Sequence, residues 1–313
     1  MLLYIARRAA AGVLLLVVIS LLTFVLLSLS GQDVGRTLLG LNASDQQVAA
    51  KNAQLGVDRA VLAQYVDWLS GAVRGDLGTS WFTSEDVGTA IGNRLPVTLS
   101  IMVGVTLVTG VLAFGLGVWA GVRRGAVDRF VQVFGVAGYA LPGFLVTLVL
   151  VLVFAVELGW FPAIGYIPLT DSVGGWLSTI TLPIIALSIG SVAGMAQQVR
   201  SSVIEVMRQD YVRTLVSRGL PMRSVLFRHV LRNASAPALT VLGLQFVGLL
   251  GGAVLVEQIF GLPGIGAMTV AYTMRGDVPI IMGLLMVSVV GVVVINLLVD
   301  IAIGLLNPKA RVA

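Results

Sequence analysis

Few side chains in this 313-residue sequence could carry out covalent chemistry. A phosphate-cradling loop of the form GxxxxGK[ST] needs backbone amides around the phosphates and a lysine against the terminal ones. The only two lysines are Lys51, followed by Asn, and Lys309, followed by Ala, so neither can serve. No GxSxG nucleophile elbow and no HExxH zinc pair occurs. The single histidine, His229, stands in a basic helical segment, where such a residue packs or faces solvent more often than it catalyses. The sequence contains no cysteine, which rules out disulfides and any thiolate metal or redox centre. The expectation is a chain that is not an enzyme and carries no cofactor or metal of its own.

What the sequence does concentrate is positive charge. Residues 208–232, RQDYVRTLVSRGLPMRSVLFRHVLR, hold six arginines and His229 against one acid, Asp210, between two long uncharged runs. The stretch has helix grammar. Over 205–218, Met207, Tyr211, Val212, Leu215 and Val216 form an apolar stripe flanked by Arg208, Arg213 and Arg218. Gly219 can stop a helix in the left-handed conformation, and Pro221 can open the next one. Met222, Val225, Leu226 and Val230 then line one side of a second piece. The spacing predicts a helix–turn–helix elbow with an apolar knob and a basic rim, suited to a cleft on another protein.

The elements that position this elbow belong to a membrane protein. Hydrophobic residues make up 57% of the chain, charged ones 11%, and the mean hydropathy is +0.98. A helix crosses about 30 Å of hydrocarbon with roughly 20 apolar residues. Six runs reach that length, near 9–30, 97–120, 130–156, 177–196, 236–256 and 279–304. The first follows Arg7 and Arg8 and exceeds a signal-peptide core, so it is expected to stay as an anchor. Assigning loops alternately places 14 of the 20 Lys and Arg on one side, with most loop acids on the other. By the positive-inside rule the basic side, with both termini, is cytoplasmic. The basic residues lack the interleaved aromatics that stack bases, so a nucleic-acid partner is not expected. Pro142 and Pro183 predict kinks.

Between the first two runs lies an outer loop of about 65 residues, long enough to have structure of its own. Its clearest element is 58–75, with Asp58 as a candidate cap and Val61, Leu62, Tyr65, Trp68, Leu69, Ala72 and Val73 on one face. That face is expected on the membrane or on the chain's own helices ahead of a partner-binding role, and the two are compatible. The later outer segments 159–176 and 258–277 are rich in Gly, Pro and interfacial aromatics. No ionisable residue lies well inside a run, and Glu157, Glu257 and Asp300 stand at the ends. This argues against a proton- or sodium-driven carrier. A passive channel or structural subunit, its basic loop merely setting topology, remains the alternative on these grounds.

The segment QDYVRTLVSRGLPMRSVLFRHVLRNASAPALT (209–240) resembles the EAA-type loop of inner-membrane permeases of ATP-binding-cassette importers, specifically the B-type subunit of the dipeptide/oligopeptide/nickel family. Asp210, Tyr211, Val212, Arg213, Thr214, Gly219, Leu220, Arg228, His229, Leu231, Arg232 and Asn233 carry the likeness. It extends to LLTFVLLSL (21–29), RGDLGTS (74–80), RLPVTL (94–99), LPGF (141–144), LGWFPAIG (158–165), EQIFGLPGIG (257–266) and NLLVD…LLNPKAR (296–311). Leu215 replaces the usual Ala and Asn307 the usual Asp. The resemblance implies an all-α, six-span, type I importer-like permease of the inner cell membrane. Residues 1–30 would be the cytoplasmic end and first span, 31–96 the outer loop, and 97–313 a five-helix core including the coupling loop 197–235. It further implies that Asp210 to Val216, Gly219 and Leu220 couple to a cytoplasmic ATPase pair holding ATP and Mg. A second homologous permease and an extracytoplasmic solute-binding protein would complete the importer, and peptides or a related small solute would be its cargo.

Overall fold

The computed structural model describes residues 2–29 and 33–306; the end of the NPKAR motif, with Asn307, Lys309 and Arg311, lies outside them. The described chain is helical, as expected for a bilayer, where backbone polar groups must be satisfied within each segment. In order the helices are α1 (Leu2–Leu29), α2 (Val34–Leu39), α3 (Asp45–Leu55), α4 (Val61–Val73), α5 (Val87–Arg123), α6 (Ala126–Ala140) and α7 (Gly143–Leu150). After a π-helical turn at Val151–Glu157 come α8 (Val173–Met207), α9 (Asp210–Ser217) and α10 (Met222–Val225). A second π-helical turn, Leu226–Val230, leads into α11 (Leu231–Ile259), followed by α12 (Ile265–Arg275) and α13 (Val278–Leu306). Among the described residues five helices are individually long and apolar enough to span a membrane, and a sixth span results if the bent pair α6 and α7 is counted as one. The chain divides into two compact units, one of 97–263 and 294 onward, the other of 2–96 and 264–293.

In the first unit α8 is the central helix: 61% of its most apolar stretch is buried, against 28% for the helix that ends in α11. Small residues let α5 approach it closely. A side chain on Gly117 would start 2.6 Å from Val199 Cβ and 2.7 Å from the Ala196 carbonyl, and one on Gly121 would start 2.9 Å from Val203. Ala113, Ala120, Met195, Ala196, Val199 and Val203 form the buried seam, and Val225, Val230 and Ala234 extend it.

The expected kink at Pro142 is a full break. α6 and α7 meet at 97°, with Pro142 extended at φ −60° and ψ 127°, because proline both lacks the N–H of a continuing helix and crowds the turn before it. Pro183, by contrast, lies inside a continuous helix: α8 runs from 173 to 207 through it.

In the second unit α4 lies on α1. Tyr65 and Ala72 are buried, with Val61, Trp68 and Leu69 half-buried beside Phe24, Leu21 and Leu27, while Leu62 and Val73 stay exposed at the margins. The Tyr65 hydroxyl lies 2.9 Å from Ser20 Oγ and its ring meets Phe24 edge-on. The predicted cap is corrected: the helix starts after Ala60 with no side-chain cap. Asp58 falls in a turn that the Gln64 amide fills instead, donating to the carbonyls of Val57 and Arg59. A tight hairpin, bridged between Thr79 and Asp86, precedes α5. Its Ser80 donates to the fully buried Asp277 carboxylate at 2.5 Å, and the Trp81 N–H donates to the same group at 3.3 Å.

Candidate coupling elbow

The basic segment is an elbow, built differently from the single helix expected over 205–218. α8 ends at Met207, the chain turns through Arg208 and Gln209, and α9 restarts at Asp210 for eight residues. Thr214 Oγ1 donates back to the Asp210 carbonyl at 3.0 Å, and Asp210 pairs loosely with Arg213 at 3.6 Å. Gly219 follows with φ +79°, its N–H on the Val216 carbonyl. No atom lies within 4 Å of where its side chain would begin, so the requirement for glycine is conformational and not steric. Pro221 is the extended N-cap of α10. From Met222 the helix continues without interruption to Ile259, so the outgoing arm of the elbow is the start of a membrane span.

The apolar stripe points mainly inward. Val212 is 3% exposed, and Met207, Tyr211, Leu215 and Leu220 pack against the core seam of their own unit. An eight-residue helix is too short to hold itself together, so its apolar side is needed to seat it. Within the chain itself Val212 is therefore spent on seating α9, while Tyr211 and Leu215 stay half-buried. Of the nine residues singled out, Asp210, Arg213, Thr214, Val216 and Gly219 are exposed, and Val216 is the one large apolar side chain among them, 43% exposed. Around them Arg208, Arg218, Arg223, Arg228 and Arg232 are also exposed.

Other contacts tie the elbow to the bundle, and the sequence alone does not draw attention to them. The Asn233 amide donates to the Tyr211 hydroxyl at 2.9 Å, joining α9 to the first turn of α11. Ser202, Glu205, Gln209, Tyr211 and Asn233 line a polar hollow between these elements. Arg200 of α8 donates to the Asp128 carboxylate on α6, which also accepts from Gln132 at 3.1 Å; both ion-pair partners are largely buried. Asp128 stands out in the sequence only as a lone acid among Arg123, Arg124 and Arg129. Among the described residues no cluster of His, Asp or Glu could hold a metal.

Residues 113–312 match the family model described as binding-protein-dependent transport system inner membrane component, and residues 1–102 match the model of its N-terminal membrane component. The chain belongs to this family of importer membrane components. Relatives align over almost its whole length. One is the "Probable peptide ABC transporter permease protein y4tP" of Sinorhizobium fredii (strain NBRC 101917 / NGR234), 35% identical across 98% of this chain and 99% of that one. Another is the di/tripeptide transport system permease protein DppB of Pseudomonas aeruginosa (strain UCBPP-PA14), 36% identical across 99% of each. The fold is also that of a chain in the inward-facing MetNI methionine ABC transporter, at a TM-score of 0.55 and 15% identity, over 69% of this permease and 96% of that chain. The protein is thus a transmembrane permease subunit of an ATP-binding-cassette importer, and the channel or purely structural alternative is not favoured.

Proposed function

We propose that this permease supplies half of the translocation path for di- or oligopeptides or a closely related small solute. A second homologous permease supplies the other half, and an extracytoplasmic binding protein delivers the cargo. ATP and Mg are held by two cytoplasmic ATPase subunits or domains, consistent with a chain whose two lysines occupy no phosphate-binding loop. Peptide cargo is supported by the di/tripeptide permease that aligns from end to end. The elbow is the contact with the ATPase. Asp210, Arg213, Thr214, Val216 and Gly219 meet its surface, while Tyr211, Val212, Leu215 and Leu220 anchor α9 so that a push is passed on. The observation that carries this reading is the continuity of the elbow's outgoing arm with a membrane helix, 222 to 259. A displacement at the ATPase then reaches the span without crossing a loop.

The test is reconstitution. Purified alone, the permease is expected to bind and hydrolyse no ATP. With its ATPase subunits, the second permease and a peptide-loaded binding protein, hydrolysis and peptide uptake should appear together. Turnover by the isolated chain, surviving removal of contaminating ATPases, would refute the division of labour. Uptake of a non-peptide solute alone would refute the cargo.

A further inference from the structure

Two carboxyl side chains among the described residues are fully buried, Glu257 and Asp277. Glu257 lies in the last turn of α11, two residues before that helix ends. The elbow feeds the other end, and 29 residues at 1.5 Å each give about 43 Å of helix, with Pro237 inside it, so elbow and Glu257 stand at opposite ends of one continuous helical element. Thr98 of α5 donates its hydroxyl to Glu257 Oε1 at 2.6 Å. Val97, Ile101, Val256, Phe260 and Leu262, close to this pair in the chain, belong to one buried apolar cluster.

Immediately beyond, the chain makes a tight turn. The Leu262 N–H donates to the Glu257 carbonyl at 2.8 Å, and Gly261 takes φ +58°. The Phe260 carbonyl accepts from the Gly165 N–H at 2.9 Å, so the turn is clasped to the connection between α7 and α8. A side chain on Gly261 would begin 3.5 Å from Ile164 Cβ, which leaves ordinary contact and little slack. A leucine at 257 would fill an apolar site without the cost of burying a carboxyl group. What the carboxyl adds is a directional bond that is lost once donor and acceptor separate by an ångström or so.

We propose that Glu257 is a positioning residue: through Thr98 it fixes the end of α11 and holds the 260–262 turn closed against the 158–166 connection, releasing it when the elbow end of α11 is displaced. This rests on the elbow reading above for its trigger, but the clasp itself does not. The motion needed is a small shift between two packed arrangements, the ordinary way in which helix movements open and close such sites.

The cysteine-free chain allows a direct test in membranes containing the whole importer. Leu262 is 2% exposed, so Leu262→Cys should react slowly with a membrane-impermeant maleimide in the absence of nucleotide. Adding Thr98→Val or Glu257→Ala should raise that rate roughly tenfold, the scale expected when one hydrogen bond to a buried group is removed. Glu257→Gln keeps an oxygen for Thr98 and should stay within about twofold of the parent. ATP hydrolysis without binding protein should rise in the first two variants and not in the third, a pattern that simple loss of stability does not produce. If Glu257→Ala fails to insert, Thr98→Val, which conserves volume, decides. Unchanged labelling in Thr98→Val at normal membrane abundance overturns the clasp. Increased labelling with hydrolysis still fully dependent on binding protein overturns its link to the elbow. Failure of the elbow reading itself would show separately, as normal ATPase retention by a Val216→Asp variant with labelling unaltered.

Discussion

At the scale of single residues, Leu215 and Val216 are neighbours with opposite duties. Leu215 packs on the core seam, whereas Val216 is exposed. Leu215→Asp places an unpaired carboxylate in an apolar contact and should lower the amount of inserted permease, at a cost of several kcal/mol. Val216→Asp should leave the amount of protein intact and reduce co-purification of the ATPase and peptide uptake. If Val216→Asp retains both at the level of the parent, the exposed side of α9 is not the coupling surface. Gly219→Val should be strained by φ +79° alone, since space is open there, misaiming α10 while leaving the chemistry of α9 unchanged. Quantifying ATPase retention against membrane abundance for the three variants separates these effects. Arg223→Gln, at an exposed guanidinium, should be mild by both measures.

At the scale of helices, the close approach of α5 to α8 gives a paired prediction. Gly117 has no room for a side chain against Val199 and the Ala196 carbonyl, while Gly115, half a turn away, faces open space. Gly117→Val should destabilise the detergent-solubilised complex by about 1–3 kcal/mol, and Gly115→Val should not, as thermal unfolding followed by size-exclusion would register. Much of this architecture is legible in the sequence, because length and apolarity alone mark each span and because Gly219 and Pro221 punctuate the elbow. The amphipathic α4 is legible for the same reason, its face being repeated over three turns. The break at Arg208–Gln209 is not, since neither residue is a breaker and the stripe from Met207 to Tyr211 keeps helical spacing across it. Nor can periodicity say which side of a stripe is inward when a short helix has both its own core and a partner to satisfy. Glu257 is hidden by its position. At the end of an apolar run it reads as an interfacial acid, and only the folded chain, in which it is fully buried, reveals otherwise.

For the molecule as a whole, the distribution of basic residues predicts an orientation that the absence of cysteine makes easy to check. Single cysteines at Ser84 and Asp171 should react with an impermeant maleimide added outside intact cells, and one at Ser224 only after the cytoplasm is opened. External labelling at Ser224 would invert the arrangement and with it the location of the elbow. The break between α6 and α7 also bears on how the importer stays tight. Where α6 stops, its last carbonyls have no helical donor ahead of them, and Pro142 brings no N–H to replace one. Lipid cannot satisfy those oxygens, so water or neighbouring protein must reach them part-way through the span.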